Sequence, residues 1–530
     1  MNQPRTPSRP APIHFPPTDA FSPRDALPKA RSTPDVRHRR RSSIAEATAS
    51  RLTVLDVSKL LAFVGDLSMG QPVDHSMRTA CIARALARAF GCSAVEVETA
   101  HHLALLRWSG CTANAAQFSE MCEDDVLGRA RLLSTSLSNP SDHAAPENGR
   151  LLLYAIRVHC EVAVQVATLI GASPQVCEAL GLMFESFADR RSSGPLTGAS
   201  APITVHVANL AGDIEVFSRE RGFSEAMSRI ASQSDRSYSP ALVNYALGEG
   251  RTWLSELVGQ VDLGLSCDVA KQADANVGLE LVADVIDLKI PWMTGYSRRV
   301  ATAVQTCCEA LAMDPSSASE AYRAALIHGL GRASVPNAIW SSTNRPSLAH
   351  CERIRLVPYW TQRAAMQIPA LRIEAELASY AFERSNGSGY FRGMSAGKMS
   401  LEAQILALAV EWCDAQTSTP RRAGCSAEEA GKRLLAQARE GQFDLTLANR
   451  FAAAMGGGQP LNRREFRRLL SERELQVLVR ISLGESTKVA AQALGIGPGT
   501  VRTHVESILK KLGCSTRAAA ILRAATLGLI

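Results

Sequence analysis

Aromatic residues are scarce in this chain: Phe, Trp and Tyr make up 5% of 530 residues. No apolar run approaches the roughly 18 residues that span a bilayer, and the opening MNQPRTPSRP has no hydrophobic stretch typical of a signal peptide. The 13 cysteines are scattered and form no Cys-x-x-Cys pair, which argues against a disulfide scaffold and a zinc ribbon. We therefore expect a cytoplasmic protein with reduced thiols and no membrane partner.

Length and composition favour several helical domains. At roughly 100–200 residues per domain the chain has room for three or four, and its content of 46% hydrophobic and 21% charged residues suits folded cores. The net charge of +7 is mild, so its distribution matters more than its size. Residues 1–50 are rich in Pro, Arg and Ser, include RHRRRSS, and are predicted to be a disordered tail.

An internal duplication is visible when the chain is compared with itself. DLSMGQPVDHSMRTA (66–80) aligns with DLKIPWMTGYSRRVA (287–301), and each matched pair is separated by 221 positions. At the same offset ALLRWSG (104–110) aligns with ALIHGLG (325–331). A constant offset over separate blocks indicates a repeated structural unit.

Further along, the offset falls to 198, because the first copy has extra residues. AIRVHCE (155–161) then aligns with RIRLVPY (353–359). Apolar residues in both copies recur at helical spacing. We therefore predict two homologous helical domains, at 51–250 and 272–455.

The second copy carries blocks typical of one enzyme family. VADVIDLK, AALIHGLGRASVPNAI, ERIRLVPYWTQ and ERSNGSGYFRGM occur in the family's order. They resemble the HD-GYP family of metal-dependent phosphodiesterases, which hydrolyse cyclic di-GMP. The resemblance implies an all-α HD-type bundle in which histidines and aspartates hold metal ions that activate water.

At the positions of the family's metal ligands, however, the second copy departs from the pattern. His328 stands at the histidine of the His-Asp pair, but Gly329 replaces the aspartate. The remaining ligand positions, the late aspartate included, hold other residues: Tyr296, Val357, Ala381, Phe382 and Val410. One ligand of about seven is left, and a single imidazole does not hold a hard divalent ion against water.

The first copy keeps different ligand positions. His75, His159 and Asp213 lie at or beside family ligands, whereas Arg107-Trp108 replaces the His-Asp pair. Weak zinc binding and purely structural histidines are both compatible with this set, and the structural role is favoured. We treat His75, His159, Asp213 and His328 as relic metal positions.

We accordingly predict that neither copy is catalytic and that the chain is not an enzyme and needs no cofactor. The two copies would serve as a sensory or dimerisation platform for an unknown small-molecule or protein effector. The alternative is a metal-dependent cyclic di-GMP phosphodiesterase coupled to a DNA-binding domain.

The last part of the chain predicts a helix-turn-helix. A basic linker (456–468) precedes a domain at 469–530, in which Ser471 and Glu474 form a capping box. Pro498 marks the start of a helix with an apolar stripe that includes Val501. Two short helices joined by a tight turn, the second one basic on its outer face, are typical of DNA-binding domains.

The block LSERELQVL with TVRTHVESILKKLGCSTRAAAI resembles the LuxR-type DNA-binding domain. The resemblance implies a four-helix domain that binds double-stranded DNA and forms a homodimer through its fourth helix. The residues implied to contact DNA are Lys488, Thr500, Arg502, His504 and Lys510 or Lys511, and Thr503 is predicted from the helical pattern to face outward beside them. The alternative is a small module for protein contacts within a scaffold. The predicted fold class is all-α: two tandem HD-like bundles, then a LuxR-type domain.

Overall fold

Helices form the regular secondary structure of the part of the chain that is described. The computed structural model describes residues 52–135, 146–185, 187, 201–259, 278–456 and 469–530. Within these ranges there are α-helices, short 3-10 turns and isolated bridges, but no strand, so the all-α prediction is confirmed. The predicted tail (1–50) and residues 457–468 of the predicted linker lie outside the described residues.

The first ten helices form a group that we call the N-terminal bundle. Thr53 and Ser93 cap α1 and α3 with full capping boxes, which satisfy backbone donors that the first helical turn leaves open. The last helix of the group continues past residue 250, the predicted domain end. The helices are α1 (Val54–Ser68), α2 (His75–Phe90), α3 (Ala94–Leu106), α4 (Ala115–Cys122), α5 (Asp125–Thr135), α6 (Pro146–Leu169), α7 (Pro174–Gly181), α8 (Ile203–Arg221), α9 (Phe223–Ser232) and α10 (Pro240–Gly259).

The next ten helices form the second bundle. At its centre lies Leu401–Gln416, a largely apolar helix in which Ile405, Leu406 and Leu408 are at most 1% exposed. The helices are α11 (Leu279–Asp287), α12 (Tyr296–Ala310), α13 (Pro315–Ile327), α14 (Asn337–Ser341), α15 (Leu348–Arg355), α16 (Val357–Ala365), α17 (Arg372–Ala378), α18 (Leu401–Gln416), α19 (Ala427–Arg439) and α20 (Leu445–Gly456).

The chain then ends in a C-terminal domain of four helices. These are α21 (Glu472–Ser482), α22 (Thr487–Leu494), α23 (Pro498–Leu512) and α24 (Arg517–Thr526). Ser471 and Glu474 form the predicted capping box, and Pro498 is the first residue of α23, as expected. Val501, Val505, Ile508 and Leu512 are buried along one face of α23.

The same local contacts recur in the two bundles. The carboxylate of Asp66 accepts hydrogen bonds from the backbone and hydroxyl of Ser76 at 3.0 and 2.6 Å. Asp287 accepts the matching bonds from Ser297 at 2.7 and 2.8 Å. Each of these carboxylates therefore ties the end of one helix to the start of the next.

A glycine repeats in the same way. A Cβ on Gly110 would lie 2.2 Å from the carbonyl oxygen of His159, and one on Gly331 would lie 2.0 Å from that of Val357. No real side chain tolerates such distances, so both positions need glycine for helix packing. These are the residues that the two sequence offsets align.

The bundles are joined by a buried ion pair. Asp125 on α5 accepts a hydrogen bond from Lys289 Nζ at 2.7 Å and one from the backbone of Asn337 at 2.6 Å. Arg129 adds a second cation at 3.4 Å from the same carboxylate. The side chains of Asp125 and Lys289 have no exposed surface. One continuous apolar core extends across both bundles around this contact.

Within the described ranges, one helical segment, Gly149–Leu169, is long and apolar enough to cross a membrane, with a mean hydropathy of 1.3. Half of that stretch is buried inside the body of the chain, and the core helix of a folded domain meets the same criterion.

Candidate functional site: two His-Arg centres and a helix-turn-helix face

The relic position His75 lies in a buried polar cluster. Its Nδ1 is 2.6 Å from the carboxylate of Glu215 on α8, and its Nε2 is 2.7 Å from Nη2 of Arg107. Arg78 and Arg219 also bind Glu215, at 3.1 Å each. The imidazole of His75 and the carboxylate of Glu215 are fully buried.

This geometry fixes the state of His75. Burial lowers the pKa of His75 even though Glu215 is adjacent, so the ring is neutral. A neutral ring next to a carboxylate and a guanidinium carries its proton on Nδ1 and accepts from Arg107 at Nε2. Burial alone would raise the pKa of Glu215, but the donors on His75 and Arg219 outweigh it and lower that pKa.

Arg107 occupies the space between the relic positions of the N-terminal bundle. A Cβ on Gly212 would lie 2.0 Å from Nη1 of Arg107, so the glycine beside Asp213 makes room for the guanidinium. The backbone carbonyl of Arg107 accepts a hydrogen bond from His159 Nε2 at 2.7 Å. His75 and His159 are thus brought to the same residue, one at its guanidinium and one at its main chain.

The other two relic positions of this bundle are held by their own neighbours. The hydroxyl of Tyr238 donates to Asp213, and burial raises the pKa of Asp213 to about 6. The ring of His159 packs edge-on against Trp108 and Phe184, with centroids 6.1 and 5.3 Å away. Burial lowers the pKa of His159 to about 4, so it too is neutral.

The second bundle contains a similar pair made from different positions. His328 Nδ1 donates to the carbonyl of Ala325 at 2.6 Å, and His328 Nε2 lies 3.1 Å from Nη2 of Arg332. Burial lowers the pKa of His328 to about 3. In both bundles, therefore, a neutral histidine offers its free lone pair to an arginine.

Tyr296 and Phe382, which the sequence resemblance predicts to stand at ligand positions, flank His328, with ring centroids 5.8 and 6.4 Å from its own. The Tyr296 hydroxyl donates to Asp414 at 2.6 Å. Arg332 lies over the Tyr296 ring at 4.7 Å and 3.9 Å from Asp287. A cation bound at His328 Nε2 would have to displace Arg332.

Sequence reasoning missed several residues of these centres. Glu215, Arg332 and Asp414 all lie within one helical turn of positions that were considered, and each reaches the centre from its helix. Within the described part of the chain, no group of three or more His, Cys, Asp or Glu side chains is arranged to hold a metal ion. A charged residue two to four positions from each candidate ligand position is the sequence feature that could have indicated these missed residues.

The residues predicted to contact DNA lie on the second and third helices of the C-terminal domain. Gly495 ends α22 in the left-handed conformation at φ 64°, and the turn to Pro498 follows at once. Lys488, Thr500, Arg502, Thr503 and Lys510 are exposed, and His504 is half-buried. Thr500, Arg502, Thr503 and Lys510 lie on α23 outside its buried stripe, whereas Lys488 lies on α22.

Lys511 also has a partner within the domain. Its Nζ donates to Glu474 at 2.7 Å, and Ser507 donates to the same carboxylate at 2.7 Å. Burial would raise the pKa of Glu474, but these donors and Ser471 outweigh it and lower the pKa to about 2. Glu474 on α21 is thereby bound to two residues of α23. Lys511 helps to fix the orientation of α23 in addition to contributing positive charge.

Comparison with known proteins identifies two domains. Residues 280–447 match the HD domain family, and residues 468–524 match the luxR family of bacterial regulatory proteins. The chain therefore contains an HD domain followed by a LuxR-type helix-turn-helix, as the motifs indicated.

The helical bundles and the C-terminal domain resemble different individual proteins. Over 398 residues, 69% of this chain and 86% of the relative, the chain is 25% identical to 3'3'-cGAMP-specific phosphodiesterase 3 of Vibrio cholerae. A crystal structure of a cyclic GMP-AMP-specific phosphodiesterase of V. cholerae shares the fold, with a TM-score of 0.55 and 21% identity over 77% of this chain and 99% of that one. The C-terminal domain is 48% identical over 56 residues to the probable transcriptional regulatory protein NarL of Mycobacterium tuberculosis, covering 11% of this chain and 26% of that protein.

These comparisons correct one prediction. The chain was expected not to be an enzyme, because most ligand positions of the HD-GYP pattern are changed. That expectation is wrong: the HD domain belongs to a family of enzymes, and the relative that covers most of the chain is named as a phosphodiesterase. Substitutions at aligned positions do not by themselves show that the HD domain is inactive.

Proposed function

We propose that this protein is a DNA-binding transcriptional regulator in which HD-type bundles control a LuxR-type helix-turn-helix. The observation that carries the proposal is the exposed basic face of α23, in a domain that matches the luxR family. Thr500, Arg502 and His504 would approach bases or phosphates, and Lys488 and Lys510 would bind the backbone.

The architecture extends this proposal. We infer that residues 51–250 form a second, divergent HD-like domain, supported by the Asp-Ser and glycine contacts that recur in the two bundles. The pair of HD-like domains would receive a small-molecule or protein effector. A cytoplasmic location and a homodimer on DNA suit such a regulator.

The Arg502→Ala variant tests the DNA-binding function. Full-length protein should bind a duplex selected from a random-sequence pool, and its affinity should fall steeply between about 50 and 200 mM salt. Arg502→Ala should weaken binding by about 1–3 kcal/mol, measured by fluorescence anisotropy.

Arg439→Ala is the matched control, because this exposed arginine lies on α19, away from the C-terminal domain, and should leave the affinity unchanged. If the wild-type protein shows no salt-sensitive binding to any duplex, the domain is a protein-contact module and the proposal fails.

Hydrolysis of a cyclic dinucleotide is the second candidate function. It is favoured by the relative named as a 3'3'-cGAMP-specific phosphodiesterase, which aligns with both bundles rather than with the HD domain alone. In this function a divalent metal would need ligands besides His328, because Arg332 occupies the Nε2 of His328 and the described residues bring no group of three or more His, Cys, Asp or Glu side chains together to hold an ion.

A hydrolysis assay decides whether this second function exists. Protein supplied with Mn²⁺ or Fe²⁺ should convert 3'3'-cGAMP or cyclic di-GMP to a linear product, and His328→Ala should abolish the turnover. Chromatography of the products gives the rate. Turnover that is absent under all metals, or that persists in His328→Ala, rules out catalysis at this centre.

A further inference from the structure

The fourth helix of the C-terminal domain has two buried faces. Ala520 and Ala524 belong to the core of that domain. Ala519 and Leu522, 1% and 0% exposed, belong instead to the apolar core of the two bundles. The helix packs against α6 of the N-terminal bundle and also against α11 of the second bundle. It is therefore shared between the DNA-binding domain and the body of the chain.

A polar contact fixes this helix to the N-terminal bundle. Glu161 on α6 accepts hydrogen bonds from the backbone N–H of Ser515 and, at 2.9 Å, from its hydroxyl. Ser515 lies just before α24, whose N-terminus is capped by Thr516. The bond therefore holds the start of the fourth helix.

A separate contact fixes the domain to the second bundle. The Thr294 hydroxyl donates to the carbonyl of Ser482, at the end of α21, at 2.9 Å. Beside it Gly484 approaches Pro291 so closely that a Cβ would lie 2.6 Å from the proline ring. Both contacts come from the turn that follows Lys289.

Together with the interface between the bundles, these contacts connect each of the three parts of the structure to the other two. Lys289 binds Asp125 of the N-terminal bundle, and two residues later Pro291 meets the C-terminal domain. The C-terminal domain returns to the N-terminal bundle through Ser515 and Glu161. A rotation of one bundle relative to the other would therefore strain or break one of the domain's two attachments.

We propose that the helix-turn-helix domain bridges the two bundles and that its attachment reports how they are arranged. The DNA-contacting face of α23 stays exposed while the domain is attached, so attachment sets its orientation and does not cover it. An effector that changes the contact between the bundles would change the freedom of the domain. The regulatory meaning rests on the proposed DNA-binding function, whereas the bridge itself does not.

Hydrogen exchange of the full chain, without DNA, tests the bridge. Glu161→Ala should raise amide exchange in residues 513–526 by about fivefold or more, because hydrogen bonds to a charged group are lost. Lys289→Met, at a residue whose ammonium binds Asp125 of the N-terminal bundle, should raise exchange in the same segment. Arg353→Ala breaks a half-exposed ion pair with Asp124 between the bundles and should raise exchange in residues 513–526 by a smaller factor. If Lys289→Met does not fold, Arg353→Ala is the variant that tests whether the interface between the bundles affects this segment.

Glu178→Ala, on the exposed side of α7, is the matched control and should leave exchange in residues 513–526 unchanged. If Glu161→Ala has no effect on that segment, the attachment to the N-terminal bundle is refuted. If the two inter-bundle variants raise exchange only at the bundle interface, the domain does not report the arrangement of the bundles. Neither result bears on whether the wild-type protein binds DNA.

Discussion

Replacing Asp125 with alanine is expected to lower the free energy of unfolding by about 3–5 kcal/mol, the cost of leaving a buried charge without its partner. Lys289, fully buried and 2.7 Å from Asp125, would keep an ammonium with no counter-ion. Arg129 would lose the same carboxylate. Chemical denaturation followed by circular dichroism measures the loss.

The pH dependence of this contact has a definite sign. Burial would raise the pKa of Asp125, but Lys289 and Arg129 outweigh it and hold the pKa below its usual range. A depressed carboxyl pKa contributes stability above the unfolded value of about 3.9, and the contribution is lost as pH falls through the folded value. The difference between wild type and Asp125→Ala should therefore be largest near neutral pH and shrink in acid.

Two further variants are the comparisons for Asp125→Ala: one removes an exposed ion pair elsewhere, and the other removes both charges of the buried pair. Glu225→Ala removes an exposed ion pair with Arg221 and should cost about 0.5 kcal/mol or less. The double variant Asp125→Leu with Lys289→Met removes both charges and should recover part of the loss. If Asp125→Ala costs no more than Glu225→Ala, the ion pair does not stabilise the contact between the bundles.

Local signals in the sequence predicted much of the fold. The capping box at Ser471 and Glu474 and the proline at the start of α23 lie where their chemistry requires, because caps act within one turn. The glycines at 110 and 331 align in the sequence repeat, and both are sites of close backbone approach in the structure. Such features depend on neighbours in sequence or on a single packing distance.

The candidate centres were only partly predictable. Alignment with a family draws attention only to the positions where that family has ligands. Arg332 and Asp414 are not such positions, and the first copy has residues of a different kind at both. Their side chains converge on His328 and Tyr296 only after distant helices have packed. The attachment of α24 was hidden for a related reason: Ala519 and Leu522 look like ordinary core residues of a small domain.

Arg107→Leu is expected to lower the free energy of unfolding of the N-terminal bundle by about 3 kcal/mol at pH 8. Arg107 is 3% exposed, donates to His75 at 2.7 Å, and carries a positive charge that lowers the pKa of Asp66 and, together with Arg229, that of Asp213. Leucine fills part of the volume but removes the Arg107 charge from both carboxyls.

The loss should be smaller at pH 5, and this distinguishes an electrostatic role from a packing role. Burial raises the pKa of Asp213 to about 6 even with Arg107 present, so the folded state binds more protons than the unfolded state and stability falls as pH rises from about 4 to 6. Without Arg107 the pKa of Asp213 rises further, so the pH range over which stability falls extends toward neutral pH. Denaturation at both pH values, with exposed Arg88→Leu on α2 as the control, measures the difference. An equal loss at pH 5 and pH 8 would show that Arg107 acts by filling space rather than as the buried cation of this centre.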